Sequence, residues 1–263
     1  MVSRIDETFG ALHGKGEKAL IAYIMAGDPD IQKTQSYTYA LIKGGADIIE
    51  LGMPFSDPIA DGPVIQKAAQ RALGSGTNIS SILELVRNIR RAHSTPVILM
   101  GYFNPVFKYG AEQFFIDAEK SGVDGVILPD IPLEEIGAVT PYAGKYNIDI
   151  ILLAAPTSGR NRLLQLSKHT EGFLYYISLT GVTGASKGID SQVISSIQWL
   201  KRKTQKPVAV GFGISTPEQA AMIAEVADGV VVGSAFVKLI ESHDDASNDL
   251  LAFAHALKNA IKE

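Results

Sequence analysis

The chain has 263 residues, 46% hydrophobic and 20% charged, which suffices for a large core and excludes wholesale disorder. A net charge of −4 without a sustained basic stripe argues against a nucleic-acid partner, and Lys201-Arg202-Lys203 reads as the solvated end of a helix. No cysteine is present, which excludes disulfides, thiol catalysis and cysteine metal sites together.

In chain order, residues 1–7 lack the apolar core of a signal peptide and no run reaches the length of a membrane span. A cytoplasmic protein with no membrane partner is therefore expected. Residues 2–12 read as a helix able to plug the bottom of a barrel. Apolar runs at 19–27 and 46–52 read as strands, and an extra helix is expected at 62–73. The segment 79–91 puts Ile79, Ile82, Leu83, Val86 and Ile89 on one helical face. Further strands are expected at 96–102, 124–130, 148–156, 172–179, 206–213 and 228–234. A terminal amphipathic helix at 245–262 presents Leu250, Leu251, Phe253, Ala254, Leu257 and Ile261.

Most of the eight strand runs are continuously apolar rather than alternating, as in a parallel sheet buried on both faces. A weak echo recurs before three of them: Gly45-Ala46-Asp47, Gly122-Val123-Asp124 and Ala227-Asp228-Gly229. The pattern predicts one domain over 1–263, a (β/α)8 TIM barrel with an N-terminal helix and extra helices after strands 2 and 8. An open doubly wound sheet is the alternative.

Barrel active sites lie at the C-terminal ends of the strands. The five histidines (His13, His93, His169, His243, His255) fall in helices, bottom-side connections or the C-terminal segment, which argues against a histidine-bound metal or base. No strand ends in lysine, so Schiff-base chemistry is not expected. Carboxylates do qualify. Glu50 lies inside Ile48-Ile49-Glu50-Leu51, where an ionised carboxylate is expensive, and Asp61 ends a loop stiffened by Pro54, Pro58 and Pro63. Glu50 also reads as a structural acid with a buried partner, and Asp61 as a helix cap before Gly62-Pro63. Asp28 and Asp130 read as turn and cap residues.

Glycine-rich turns at 211–215 and 233–235 end the seventh and eighth strands, where backbone N–H groups commonly hold a phosphate; ordinary tight turns are the alternative. The run 180–188, with Gly181, Gly184 and Gly188, reads as a mobile lid or a flexible surface loop. Tyr175, inside the sixth strand, reads equally as a core residue or a site residue.

Together these motifs (Glu50 to Pro58 with Ala60-Asp61-Gly62-Pro63, Gly181-Val182-Thr183-Gly184, Gly211-Phe212-Gly213-Ile214 and Gly233-Ser234) resemble the tryptophan synthase α subunit family across essentially the whole chain. The resemblance implies cleavage of indole-3-glycerol phosphate to indole and glyceraldehyde 3-phosphate, with no metal or cofactor in this chain. It implies that Glu50 shuttles protons, Asp61 binds the indole N–H and Tyr175 orients the reacting groups. Gly184, Gly213, Gly233 and Ser234 would hold the phosphate, and Thr183 would meet Asp61 as the lid closes. Tyr23, Met100, Ile127 and Phe212 would line the indole pocket, although Met100 and Ile127 also read as simple barrel packing. The resemblance further implies an α2β2 tetramer with a β subunit that uses pyridoxal phosphate. Pro54, Asp57, Asn104, Pro105 and Pro132, in loops at the top of the barrel, are the expected contacts. Leu179-Thr180 departs from the family pattern of Ser or Arg followed by a small residue. Other expectations compatible with the loops are a barrel isomerase of ribosyl-phosphate intermediates and a non-catalytic activator of the β subunit.

Overall fold

The computed structural model describes residues 2–177, 191–211 and 213–262. In chain order α1 (Arg4–Gly14) leads into β1 (Ala19–Met25), α2 (Ile31–Lys43) and β2 (Ile48–Gly52). Then come α3 (Pro63–Gly74), α4 (Ile79–Ala92), β3 (Val97–Met100), α5 (Phe103–Tyr109), α6 (Ala111–Ser121) and β4 (Gly125–Ile127). A 3-10 helix (Leu133–Ala138) and α7 (Thr140–Lys145) precede β5 (Asp149–Ile150) and β6 (Leu153–Ala154). The remaining elements are α8 (Arg160–His169), β7 (Leu174–Ile177), α9 (Ser191–Lys201), β8 (Val208–Gly211) and α10 (Pro217–Ala224). Last are β9 (Gly229–Val232), α11 (Ser234–Ser242) and α12 (Ser247–Ala260).

All pairings are parallel, in the order β5-β4-β3-β2-β1-β9-β8-β7-β6. The two ends of that order are consecutive in the chain. β5 pairs with β4, β6 pairs with β7, and between them Ile151 N–H donates to Val126 O (3.1 Å) while Tyr175 N–H donates to Leu152 O (3.0 Å). The expected fifth strand is thus present but split, because its first half serves one neighbour and its second half the other. The sheet closes there into a TIM barrel with helices around it. The extra helices follow the second and eighth barrel strands, as α3 and α11, with α12 beyond.

Period-two alternation sorts the strand side chains into two cores. Ile21, Ile48, Ile98, Ile127, Ile151, Phe173 and Val231 fill the barrel interior, and Ile5, Phe9 and Leu12 of α1 close it from below. Leu20, Ile49, Leu51, Leu99 and Val126 point outward under the helices. This explains why β1 and β2 are buried at every residue.

The sequence echo marks a repeated device at the base of the barrel. Asp47, Asp124 and Asp228 each accept the N–H at the start of a neighbouring strand, from Leu20 (2.7 Å), Val97 (2.8 Å) and Val208 (2.9 Å). Each aspartate's own N–H donates back to the carbonyl of that same residue. A cation neutralises each one: Lys258 (2.8 Å), Arg90 (2.7 Å) and Lys201 (2.8 Å) respectively, with Arg4 also on Asp124. Asp124 is the most enclosed of the three, with 3% of its side chain exposed. Replacing it with Ala strips Val97 of its acceptor and leaves Arg90 unpaired in the barrel base. We expect Asp124→Ala to lose on the order of 3 kcal/mol of unfolding free energy. A lower urea midpoint with unchanged slope would register this loss.

Candidate active site

At the opposite end, where the strands finish, lies a cavity of about 190 Å3. Tyr23 of β1, Glu50 of β2, Met100 of β3, Tyr175 and Ile177 of β7 and Gly211 of β8 open onto it. So do Asp61, Gly213, Gly233 and Ser234 from the loops beyond the strands. Two larger clefts, about 610 and 570 Å3, flank α1 at the base, but Asp228 and Asp124 in them are already neutralised by cations. The smaller cavity instead holds Glu50, which has no hydrogen-bond partner among the described residues, together with Asp61.

Glu50 points inward because it is two residues from Ile48, and it stands in register with Tyr23 and Ile98. It is fully buried, and among the described residues neither carboxyl oxygen has a hydrogen-bond partner. Burial alone pushes its pKa up to about 8, so the acid is largely protonated at neutral pH. The structural reading, an acid with a buried partner, finds no such partner among the described residues.

Asp61 is held differently. Gly62, not Asp61, is the N-cap of α3, and Pro63 opens the helix. The carboxylate is thereby left free of capping. Burial raises its pKa, and a hydrogen bond from the Tyr102 hydroxyl opposes the rise. Tyr102 itself was not singled out in the sequence; its position three residues after Leu99, at a strand end, is the one signal available.

The tyrosine hydroxyls reach into the site because small residues face them. A Cβ on Gly52 would lie 2.3 Å from the Tyr23 hydroxyl, and one on Gly211 would lie 2.7 Å from that of Tyr175. Burial raises both phenols well above their usual pKa, with nearby acids adding to the effect, so both remain neutral donors.

Gly233 precedes α11 as its N-cap and Ser234 is its first residue. The first N–H groups of a helix have no intrahelical acceptor, so this end offers donors to an anion. Gly213 stands at the same rim, on the neighbouring strand's loop. Ile127 is fully buried in the barrel interior, in register with Met100, and does not line the cavity. Ile65, Ile177 and Val231 line it instead, and none was anticipated. Thr183, Gly184 and Phe212, with the rest of the 180–188 run, lie outside the described residues.

Several expectations for the surrounding loops need correction. Asn104 and Pro105 are in helix α5 rather than a loop. Pro54, Asp57 and Pro132 are in irregular backbone, and Asp57, Asn104 and Pro132 are exposed. Asp28 lies in the turn after β1, its N–H donating to Met25 O (3.3 Å), but it caps no helix: its buried side chain makes a fork with Arg71, both bonds 2.8 Å, while Asp30 caps α2. Asp130 does act as a cap, but for α5 from the adjacent loop, taking the Phe103 N–H on both oxygens at 3.0 Å.

Comparison with known proteins agrees with this geometry. The family described as tryptophan synthase alpha chain matches residues 9–263. The tryptophan synthase alpha chain of Geobacter sulfurreducens is 47% identical over 262 residues, covering 99% of both chains. That of Geotalea uraniireducens is 48% identical over 263 residues, covering 99% of this chain and 98% of the relative. The crystal structure of tryptophan synthase subunit alpha from Legionella pneumophila superposes with a TM-score of 0.92 at 39% identity over 99% of each chain. With sequence and fold matching over nearly the full length of each partner, the chain belongs to the tryptophan synthase alpha chain family.

Proposed function

We propose that Glu50 and Asp61 divide the acid–base work of the family's reaction between them. A tryptophan synthase alpha chain is a lyase that cleaves indole-3-glycerol phosphate to indole and glyceraldehyde 3-phosphate. It works without a cofactor, the pyridoxal phosphate of tryptophan synthase belonging to the β subunit. The observation that carries the assignment is the contrast within one cavity: an acid near pKa 8 with no partner among the described residues, beside a carboxyl whose rise with burial is opposed by Tyr102.

Direct rupture of the bond between the ring and the glycerol chain would expel an aryl carbanion. Protonated Glu50 donates instead to the ring carbon that bears the chain, making an iminium-like tautomer that serves as the electron sink. Asp61 accepts the indole N–H and stabilises the positive charge as it develops. Glu50, now a carboxylate, takes the proton of the adjacent glycerol hydroxyl. The carbon–carbon bond breaks, its electron pair restores the indole, and the aldehyde leaves with Glu50 protonated again. The cycle is proton-neutral.

Tyr175 orients the reacting groups from the facing strand. Gly213, Gly233 and Ser234 hold the phosphate at the start of α11, with Gly184 and Thr183 as lid residues. Tyr23, Met100 and Phe212 bound the indole, Ile65, Ile177 and Val231 extend that surface, and Ile127 supports Met100 from below.

The family implies partnership with a β subunit. The assembly we favour is an α2β2 tetramer docked through Pro54, Asp57, Asn104, Pro105 and Pro132. Ile59 and Phe107, 86% and 67% exposed on the same loop and helix, support that face. Among the described residues no helix is long and apolar enough to cross a membrane, and a cytoplasmic location fits. Residues 1–263 act as one barrel domain in this reading.

Indole release from indole-3-glycerol phosphate is the decisive assay, expected to be slow alone and faster with a β subunit. Glu50→Gln and Asp61→Asn should each lower kcat by about 10²–10⁴-fold with an unchanged circular dichroism spectrum. Full activity in both variants overturns the mechanism. The profile of kcat/KM should fall above about pH 8 as free Glu50 ionises. Stability supplies an independent check. A carboxyl whose folded pKa exceeds its unfolded one binds protons on folding, so the wild type should lose stability as pH rises from about 4.5 to 8. Glu50→Gln should remove that loss, on the order of a few kcal/mol, in urea titrations at pH 5 and 8.

A further inference from the structure

Tyr102 takes no part in the steps above, yet it meets the loop that carries Asp61 at three points. Its ring lies against Phe55, with centroids 5.4 Å apart, near the start of the loop. Its hydroxyl oxygen accepts the Ala60 N–H at 2.9 Å near the end of the loop. The same hydroxyl acts on the neighbouring Asp61 carboxyl, opposing the upward push that burial gives it. A phenol has one proton and two lone pairs, so accepting from Ala60 leaves its proton free to turn to Asp61. Only 4% of Tyr102 is exposed, which leaves little room for water to replace either bond.

The anchor itself is rigid. Tyr102 follows β3 by two residues and is the N-cap of α5, whose first N–H is held by both oxygens of Asp130. The loop from Met53 to Gly62, by contrast, contains no helix or strand of its own beyond the end of β2. Its position depends on what it hangs from. Among the described residues, the titratable groups facing Asp61 are Tyr23 from β1, Glu50 from β2 and Tyr102 after β3, with Asp130 beyond Tyr102. None of these is a cation. The Tyr102 hydroxyl is therefore the donor that opposes the effect of burial on Asp61.

Building on the acid–base reading above, we infer that Tyr102 is a positioning residue for the cleavage, holding the Asp61 carboxylate at the indole end of the cavity in its ionised form. A carboxylate accepts up to about four hydrogen bonds, so the indole N–H is received on the remaining lone pairs while Tyr102 stays in place. The residue thus serves both states of the site, keeping Asp61 as acceptor before substrate arrives and sharing it afterwards. Its place at the cap of α5 also joins Asp61 to the helix on which Asn104, Pro105 and Phe107 are displayed.

Tyr102→Phe tests this, because the ring stays against Phe55 and only the hydroxyl is lost. We expect kcat/KM for indole release to fall about tenfold below neutral pH, the worth of a hydrogen bond to a charged group. The acid limb of the profile should move to higher pH while the alkaline limb, set by Glu50, stays. Phe55→Ala, which loosens the loop but keeps the hydroxyl, should lower activity without moving the acid limb. A carbon-13 NMR titration of the Asp61 carboxyl in the ligand-free chain should show the same upward displacement in Tyr102→Phe. An acid limb and an Asp61 titration identical to wild type overturn the inference, as does an equal displacement in Phe55→Ala. Absence of any indole release by the wild type would instead sink the proposed function, and the NMR titration would still decide the role of Tyr102.

Discussion

In a closed parallel barrel every second residue of a strand faces an interior that bulk water does not enter, and the chemistry of this chain depends on that constraint. Ile48 and Glu50 are two residues apart on β2, so the strand that buries the first must bury the second. The layer beneath, with Ile21, Ile98, Ile127, Ile151 and Phe173, seals the cylinder, and α1 closes it from below. Glu50 consequently has no exposed surface and meets no hydrogen-bond donor among the described residues. A carboxyl so placed remains an acid where an exposed one would have given up its proton.

Asp61 is also pushed upward by burial, but unlike Glu50 it has a neighbour that opposes the push. Because Gly62 takes the capping position, the Asp61 side chain is released from the helix end and turns to the Tyr102 hydroxyl. Two residues of the same chemical type thereby acquire different protonation preferences within one small cavity. Pairs of titratable groups whose surroundings drive them apart are the usual basis for separate acid and acceptor roles. In the proposed reading the phosphate lies at the N-terminal turn of α11, which supplies oriented N–H groups.

Much of this was legible in the sequence. The eight apolar runs, the helix at 79–91 and the plug helix all follow from local pattern. So did the inward acid at Glu50, because a lone carboxylate in a strand is anomalous whatever the fold. What escaped was set by contacts between distant segments. The split of the fifth strand arises from its change of neighbour, which no property of Ile151 or Leu152 announces. Asp28 sits in a turn-like Gly-Asp-Pro sequence, yet its fork with Arg71 of α3 is 43 residues away in the chain. Asn104 and Pro105 looked like loop residues because Pro105 breaks helices in their interior, but at the first turn it is tolerated. Ile127 was expected in the pocket only from the resemblance and also read as simple barrel packing; it lies in the barrel interior and outside the cavity wall.

The split strand has a consequence for ligand binding. It divides the cylinder into two arcs, β1 to β5 and β6 to β9, joined on one side by the β1–β9 ladder and on the other by the short step through Ile151 and Leu152. Glu50, Asp61, Tyr23 and Tyr102 all belong to the first arc; Tyr175, Gly213, Gly233 and Ser234 belong to the second. In the proposed reading, a substrate with its ring on one arc and its phosphate on the other acts as a removable staple across the step. Its binding energy then contributes to holding the barrel closed, coupling occupancy of the site to the cohesion of the whole sheet.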